Sequence, residues 1–155
     1  MITKQDVLKA QTEWRNAIVK VGQMKDNLHE CEVETDFILS ELYAFDDGIV
    51  LFKPTKASVI QFRATKESAK SYFIGGNAKF PEDDGFALHP WTNVRFENHN
   101  MILADNRALV MGNYFFLDIH GKETKVEFTF GYKSNNDGRL KIDVHHSSLP
   151  YVHQN

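Results

Sequence analysis

The chain has 155 residues, 42% of them hydrophobic and 25% charged, with a formal net charge of −3. That length suits a single domain over residues 1–155 with a real core and is short for two, and the composition excludes disordered and fibrous classes. The mildly acidic balance leaves no basic stripe for a phosphate backbone, so nucleic acid is not an expected partner.

The first stretch, "MITKQDVLKAQTEWRNAIVKV", scatters charges among its apolar residues, so it is neither a signal peptide nor a membrane span. A cytoplasmic protein with no membrane partner is expected, and the single cysteine, Cys31, fits a reducing compartment. Val7, Ala10, Trp14, Ala17, Ile18 and Val21 recur at intervals of three and four and predict one apolar helical face. Thr3 is the expected N-cap, with Asp6 at the positive end of the helix dipole.

A second helix is predicted over about 30–45, with Val33, Phe37, Ile38 and Leu42 inward and Asp46, Asp47 and Gly48 ending it. "GIVLF" reads as a short strand and "ASVIQFRA", through Val59, Ile60 and Phe62, as another beyond the break at Pro54. Thr65 opens a third helix as its N-cap, with Glu67 in the first turn and Gly75 or Gly76 closing it. A Gly, Asp and Pro-rich loop follows over 77–90. The remainder is strands: "TNVRFEN" is short, whereas "RALVMGNYFFLDI", "KVEFTFGYK" and "RLKIDVHHSS" are long and joined by short turns, which predicts an antiparallel meander.

Helices first and a meander afterwards define an α+β domain, with the helices on one face of a curved antiparallel sheet. The arrangement is similar to the cone-shaped fold of nuclear transport factor-like and ketosteroid isomerase-like proteins, whose open end holds a pocket. Such a fold hosts many functions and decides none.

The chemistry concentrates in "KIDVHHSS". Successive strand residues face opposite ways, so His145 and His146 make a poor metal clamp. The other histidines, at 29, 89, 99, 120 and 153, show no ligand spacing, so no metal ligands are assigned. Asp143, His145 and Ser147 share one expected face: a carboxylate, a base and a hydroxyl able to line one cavity. Ile142, Val144, His146 and Ser148 share the other. On pattern alone these are equally well the solvated end of a strand, Tyr72 reads as a core tyrosine, and Thr55 as turn chemistry after Pro54.

"LYAFDDGIVLFKPTKASVIQFRATKESAKSYFIGGN", "FPEDDGFALHPWTNVRFEN", "ALVMGNYFF", "KVEFTFGYK" and "LKIDVHHSSLPY" together resemble the iota-class carbonic anhydrases, relatives of the association domain of calmodulin-dependent protein kinase. The resemblance runs from about Glu41 to Tyr151. It implies a lyase that interconverts carbon dioxide and bicarbonate. Some members of that family are metal-free and others have been associated with divalent metals; the metal-free case implies no cofactor. Bicarbonate is then held by a threonine, a tyrosine and a serine beside a histidine. Carried over, these are Thr55, Tyr72, Ser147 and His145, with Thr65 or Ser58, and the His146 and Ser148 register, as alternatives.

On this reading Ser147, Tyr72 and Thr55 donate to developing negative charge, His145 is the general base, and Asp143 raises its pKa and fixes its tautomer. A homodimer or higher homo-oligomer is implied by the kinase relatives. The competing expectations are a non-enzymatic assembly module and a cone protein for larger organic ligands, with Asp143 as its base.

Overall fold

Each helix begins where a side chain takes up the first free backbone donors. A computed structural model of the chain describes residues 1–154. In it α1 (Lys4–Gln23) is capped by Thr3, whose hydroxyl accepts from the Asp6 amide while the Asp6 carboxylate accepts from the Thr3 amide. In α3 (Lys66–Ile74), Thr65 and Ser68 form the same reciprocal pair, and Gly75 closes the helix at φ +67°. Such a residue has no Cβ to clash in that conformation.

The second helix departs from expectation. Its α-helical part, α2, covers Leu28–Phe37 and continues as a π turn over Ile38–Leu42. Val33 and Phe37, expected inside, are 56% and 42% exposed. The inward face is instead Cys31, Thr35, Ile38, Leu39 and Leu42. A threonine obscures that face in the sequence, but its hydroxyl donates to the Cys31 carbonyl at 2.7 Å and so is satisfied inside the helix.

Strand β1 is only Leu51–Lys53. The strand expected at "ASVIQFRA" does not form. The Glu82 carboxylate accepts from the amides of Ser58, Val59 and Ile60 at 2.7 to 3.1 Å, consuming donors that a neighbouring strand would need. These backbone donors hold the Glu82 pKa down to about 2. The segment is pinned again at Arg63, whose buried guanidinium makes paired 2.7 Å hydrogen bonds to Asp83. Val59 and Phe62 consequently point outward, 80% and 71% exposed.

The remaining strands are β2 (Trp91–Leu103), β3 (Arg107–Asp118), β4 (Glu123–Ser134) and β5 (Leu140–Ser148). They form the expected antiparallel meander, with β2 longer than "TNVRFEN" suggested. The short β1 joins the far side of β5 in parallel, giving the order β1, β5, β4, β3, β2. This is the expected α+β architecture, helices followed by a mainly antiparallel sheet.

Trp14 shows how α1 meets the sheet. Its indole lies 5.7 to 6.3 Å, ring centre to ring centre, from Phe96, Tyr114, Phe116, Phe130 and His145, so one side chain touches β2, β3, β4 and β5. Aromatic edge-to-face and offset contacts of this kind add to the burial of each ring.

Candidate active site

The alternation expected along β5 is broken once. Gly131 pairs with Val144 and Tyr132 with Ile142, which leaves Asp143 as an extra residue in a β-bulge. Gly131 permits it: a Cβ there would lie 2.8 Å from the Val144 Cβ. Ile142, His145 and Ser147 are therefore all buried, at 1%, 3% and 1% exposure, although 142 and 145 differ in parity. Asp143 does not join His145 as expected. Its carboxylate accepts from Arg107 at 2.5 and 3.0 Å, so it neither raises the His145 pKa nor fixes its tautomer.

The histidine's partners are tyrosines that the sequence reading missed. Tyr43 meets Nδ1 at 2.8 Å and in turn accepts from the Trp14 indole N–H at 3.1 Å. On the other edge of the ring, Tyr114 and Ser147 each lie 3.0 Å from Nε2 and are hydrogen bonded to each other. Phe52 stacks on the imidazole at 4.9 Å and Phe130 lies at 4.2 Å. Only distant pairings in the sheet bring these groups together, 102 residues apart for Tyr43 and 31 for Tyr114.

Burial among these rings drives the His145 pKa down to about 3, with the neighbouring His146 charge adding to the effect. The buried imidazole is therefore neutral at neutral pH and a weaker base than an ordinary histidine. Burial moves the tyrosine hydroxyls the other way. Burial raises Tyr43, Tyr72 and Tyr114 above the ordinary phenol value, and hydrogen bonds with the Lys56 amide at Tyr72 and with Ser147 at Tyr114 offset part of the rise.

Thr55, Tyr72, His145 and Ser147, separated by up to 92 positions, line one cavity with Trp14, Phe52, Pro54, Phe73, Phe86 and Tyr114. The Lys56 amide donates to the Tyr72 oxygen at 3.2 Å, which leaves the Tyr72 O–H free to donate. The space left between these packed side chains is small, about 10 Å³. Organic-ligand sites commonly run to about 300–1,000 Å³, far more than this cavity. Thr65 is outside the cavity, where its hydroxyl caps α3, and Ser58 is bound to Glu82. His146 is exposed on the opposite side of β5.

The loop over 77–90 supplies one wall. Phe86 stacks on Tyr72 at 5.5 Å, and these two rings divide the inner cavity from an outer polar cleft of about 470 Å³ that includes Lys56, Glu82, Asp84 and His89. Among the described residues, no group of three or more His, Cys, Asp or Glu side chains stands together as metal ligands would.

Comparison with known proteins agrees with this arrangement. The sequence profile of the family described as metal-independent carbonic anhydrase matches residues 5–149. A metal-independent carbonic anhydrase from Nostoc sp. is 39% identical over 153 residues, covering 97% of this chain and 75% of that protein. The crystal structure of a cyanobacterial iota-carbonic anhydrase complexed with bicarbonate superposes with a TM-score of 0.94 at 37% identity, covering 98% of this chain and 94% of that one. A calcium/calmodulin-dependent protein kinase II association domain from Xanthomonas campestris, at 24% identity, TM-score 0.60 and coverage of 97% and 89%, shares the fold. The chain belongs to the metal-independent carbonic anhydrase family.

Proposed function

We propose that this carbonic anhydrase interconverts carbon dioxide and bicarbonate in the cavity between Thr55, Tyr72, Ser147 and His145. The observation that supports the reading is the convergence of four hydroxyl-bearing side chains, Thr55, Tyr72, Tyr114 and Ser147, on one small space walled by apolar rings. Carbon dioxide is apolar and enters such a space without loss of hydration. Without a metal to lower the pKa of bound water from 15.7 to about 7, activation falls to the hydroxyls.

Ser147 and Tyr72 donate to the carbon dioxide oxygens, where negative charge develops as water attacks carbon. Thr55 holds the water. As the new C–O bond forms and one C=O π pair moves onto oxygen, the water proton passes to Thr55 Oγ1 and the Thr55 hydroxyl proton passes to a carbon dioxide oxygen. The product is carbonic acid, which ionises to bicarbonate on leaving. No ion has to be made inside the apolar cavity, where an unpaired charge is costly. His145 contributes as a neutral donor to the Ser147 and Tyr114 oxygens.

This reading sets the pH dependence. Of the three titratable groups lining the cavity, His145 loses its proton near pH 3, and Tyr72 and Tyr114 keep theirs beyond the ordinary phenol range. The kcat for hydration, measured by stopped flow, is expected to be flat from about pH 6 to 9. A sigmoid rise centred near 6.5, the ordinary imidazole value, would restore His145 as general base and contradict the relay.

The same reading includes a homodimer of one domain per chain, working in the cytoplasm. Apolar side chains around β1 support self-association: Leu51, 63% exposed, lines the same surface hollow as Phe62, 71% exposed. Among the described residues no helix is long and apolar enough to cross a membrane, and Cys31 is buried as a free thiol. Sedimentation velocity over a dilution series is expected to show a dimer that Phe62→Asp dissociates, whereas a monomer at every concentration would contradict it.

A further inference from the structure

The hydrogen bonds around His145 have a direction, and that direction decides how many donors the cavity has left for substrate. An indole N–H donates and never accepts, so Trp14 Nε1–H fixes the Tyr43 oxygen as its acceptor. Among the described residues the Tyr43 hydroxyl has one other partner, His145 Nδ1 at 2.8 Å. The Tyr43 proton therefore points at Nδ1. Nδ1 is then the bare nitrogen of the neutral ring, and Nε2 carries the hydrogen. Were Nδ1 protonated instead, the Tyr43 oxygen would face two donors and its own buried O–H would have no acceptor, an unfavourable state for a buried polar group.

Nε2, Tyr114 Oη and Ser147 Oγ form a hydrogen-bonded triangle. With Nε2 protonated, its N–H serves one or both hydroxyl oxygens, one hydroxyl hydrogen bridges Tyr114 and Ser147, and the other hydroxyl hydrogen is spare. With Nε2 bare, one hydroxyl hydrogen is drawn to the ring and the second bridges the pair, so none is spare. Phenol is the stronger donor of the two, which puts the Tyr114 hydrogen on Ser147 and frees the Ser147 hydrogen for the cavity. Both hydroxyls line it.

We infer that Trp14 and Tyr43 are positioning residues that hold His145 in its Nε2–H tautomer, and that Tyr114 acts with them so that Ser147 keeps one hydrogen free for the substrate oxygen. The inference rests on the proposed role of Ser147. It assigns no proton export to the chain, because the far end is an indole N–H with nothing to accept a proton. Trp14, Tyr43 and His145 set the polarity of the donor that faces the substrate, and the proton released by carbonic acid leaves by the cavity mouth.

Long-range ¹H–¹⁵N correlation of the imidazole in the full-length, ¹⁵N-labelled protein reads the tautomer directly and needs no variant. The expected spectrum has His145 Nε2 protonated and Nδ1 bare; a protonated Nδ1 overturns the inference even if the enzyme is fully active. Tyr43→Phe removes the donor to Nδ1 and is expected to lower kcat about tenfold, the worth of one hydrogen bond, with KM little changed and the His145 nitrogen signals shifted. Trp14→Phe, which keeps an aromatic ring but no N–H, should move the same signals in the same sense by less. Full kcat with unmoved nitrogen signals in both variants also overturns it. Failure of the underlying reading looks different: Ser147→Ala would then keep wild-type activity whatever the tautomer.

Discussion

Ser147→Ala is expected to lower kcat for carbon dioxide hydration by about 10² to 10³, the usual cost of removing one donor to a developing oxyanion. The substitution deletes one buried oxygen and leaves the Phe52, Phe73 and Phe86 walls unchanged, so the loss should fall on kcat more than on KM. Tyr114 and His145 both lose a partner in the variant, and a modest drop in stability accompanies the loss of activity. The variant's circular dichroism should match the wild type. Wild-type kcat in a folded Ser147→Ala protein would contradict the assignment of Ser147.

Asp83→Ala is expected to destabilise the fold by about 3 to 5 kcal/mol, the usual cost of leaving a buried charge without its partner. Arg63 has no exposed side-chain surface and Asp83 only 2%. Their two hydrogen bonds are both 2.7 Å, and the Ser71 hydroxyl donates to the same carboxylate. Glu82, 3.7 Å from Arg63, is too occupied with three backbone amides to take over. With a urea slope near 2 kcal/mol/M, the midpoint should fall by about 2 M. An unchanged midpoint would show that Arg63 is stabilised by its hydrogen bonds to the Ile60 and Ser68 carbonyls alone.

The second prediction also bears on the site, because Arg63 and Glu82 hold the 54–64 segment in place. That segment carries Thr55 and the Lys56 amide that donates to Tyr72. Loosening it should reduce activity in the fraction that remains folded.

Local rules were enough to read several elements from the sequence. Thr3 and Thr65 cap helices because a short hydroxyl side chain reaches the third amide of its own helix, which depends on nothing distant. The meander was legible for a similar reason: three long alternating runs joined by short turns leave few other pairings. His145 and Ser147 fall on one side of β5 by the two-residue period.

What stayed hidden depends on contacts between distant parts of the chain. The bulge at Asp143 is set by its neighbour strand, where Gly131 makes room for Val144. The failed strand at Val59 and Ile60 depends on a carboxylate 22 residues away at Glu82. Tyr43 and Tyr114 look like core aromatics, and they are; their second role appears only when the sheet sets their hydroxyls against the two edges of one imidazole. The low pKa of His145 has the same origin, since it comes from the rings packed around it rather than from any residue beside it in the strand other than His146.

In the proposed chemistry, hydroxyl groups and a neutral histidine carry the reaction without a metal. Stopped-flow carbon dioxide hydration, measured before and after exhaustive chelation with the metal content of each sample determined, tests it most directly. Unchanged kcat in protein carrying far less than one metal per chain is the predicted result. Activity that disappears with chelation and returns on adding a divalent cation would contradict it.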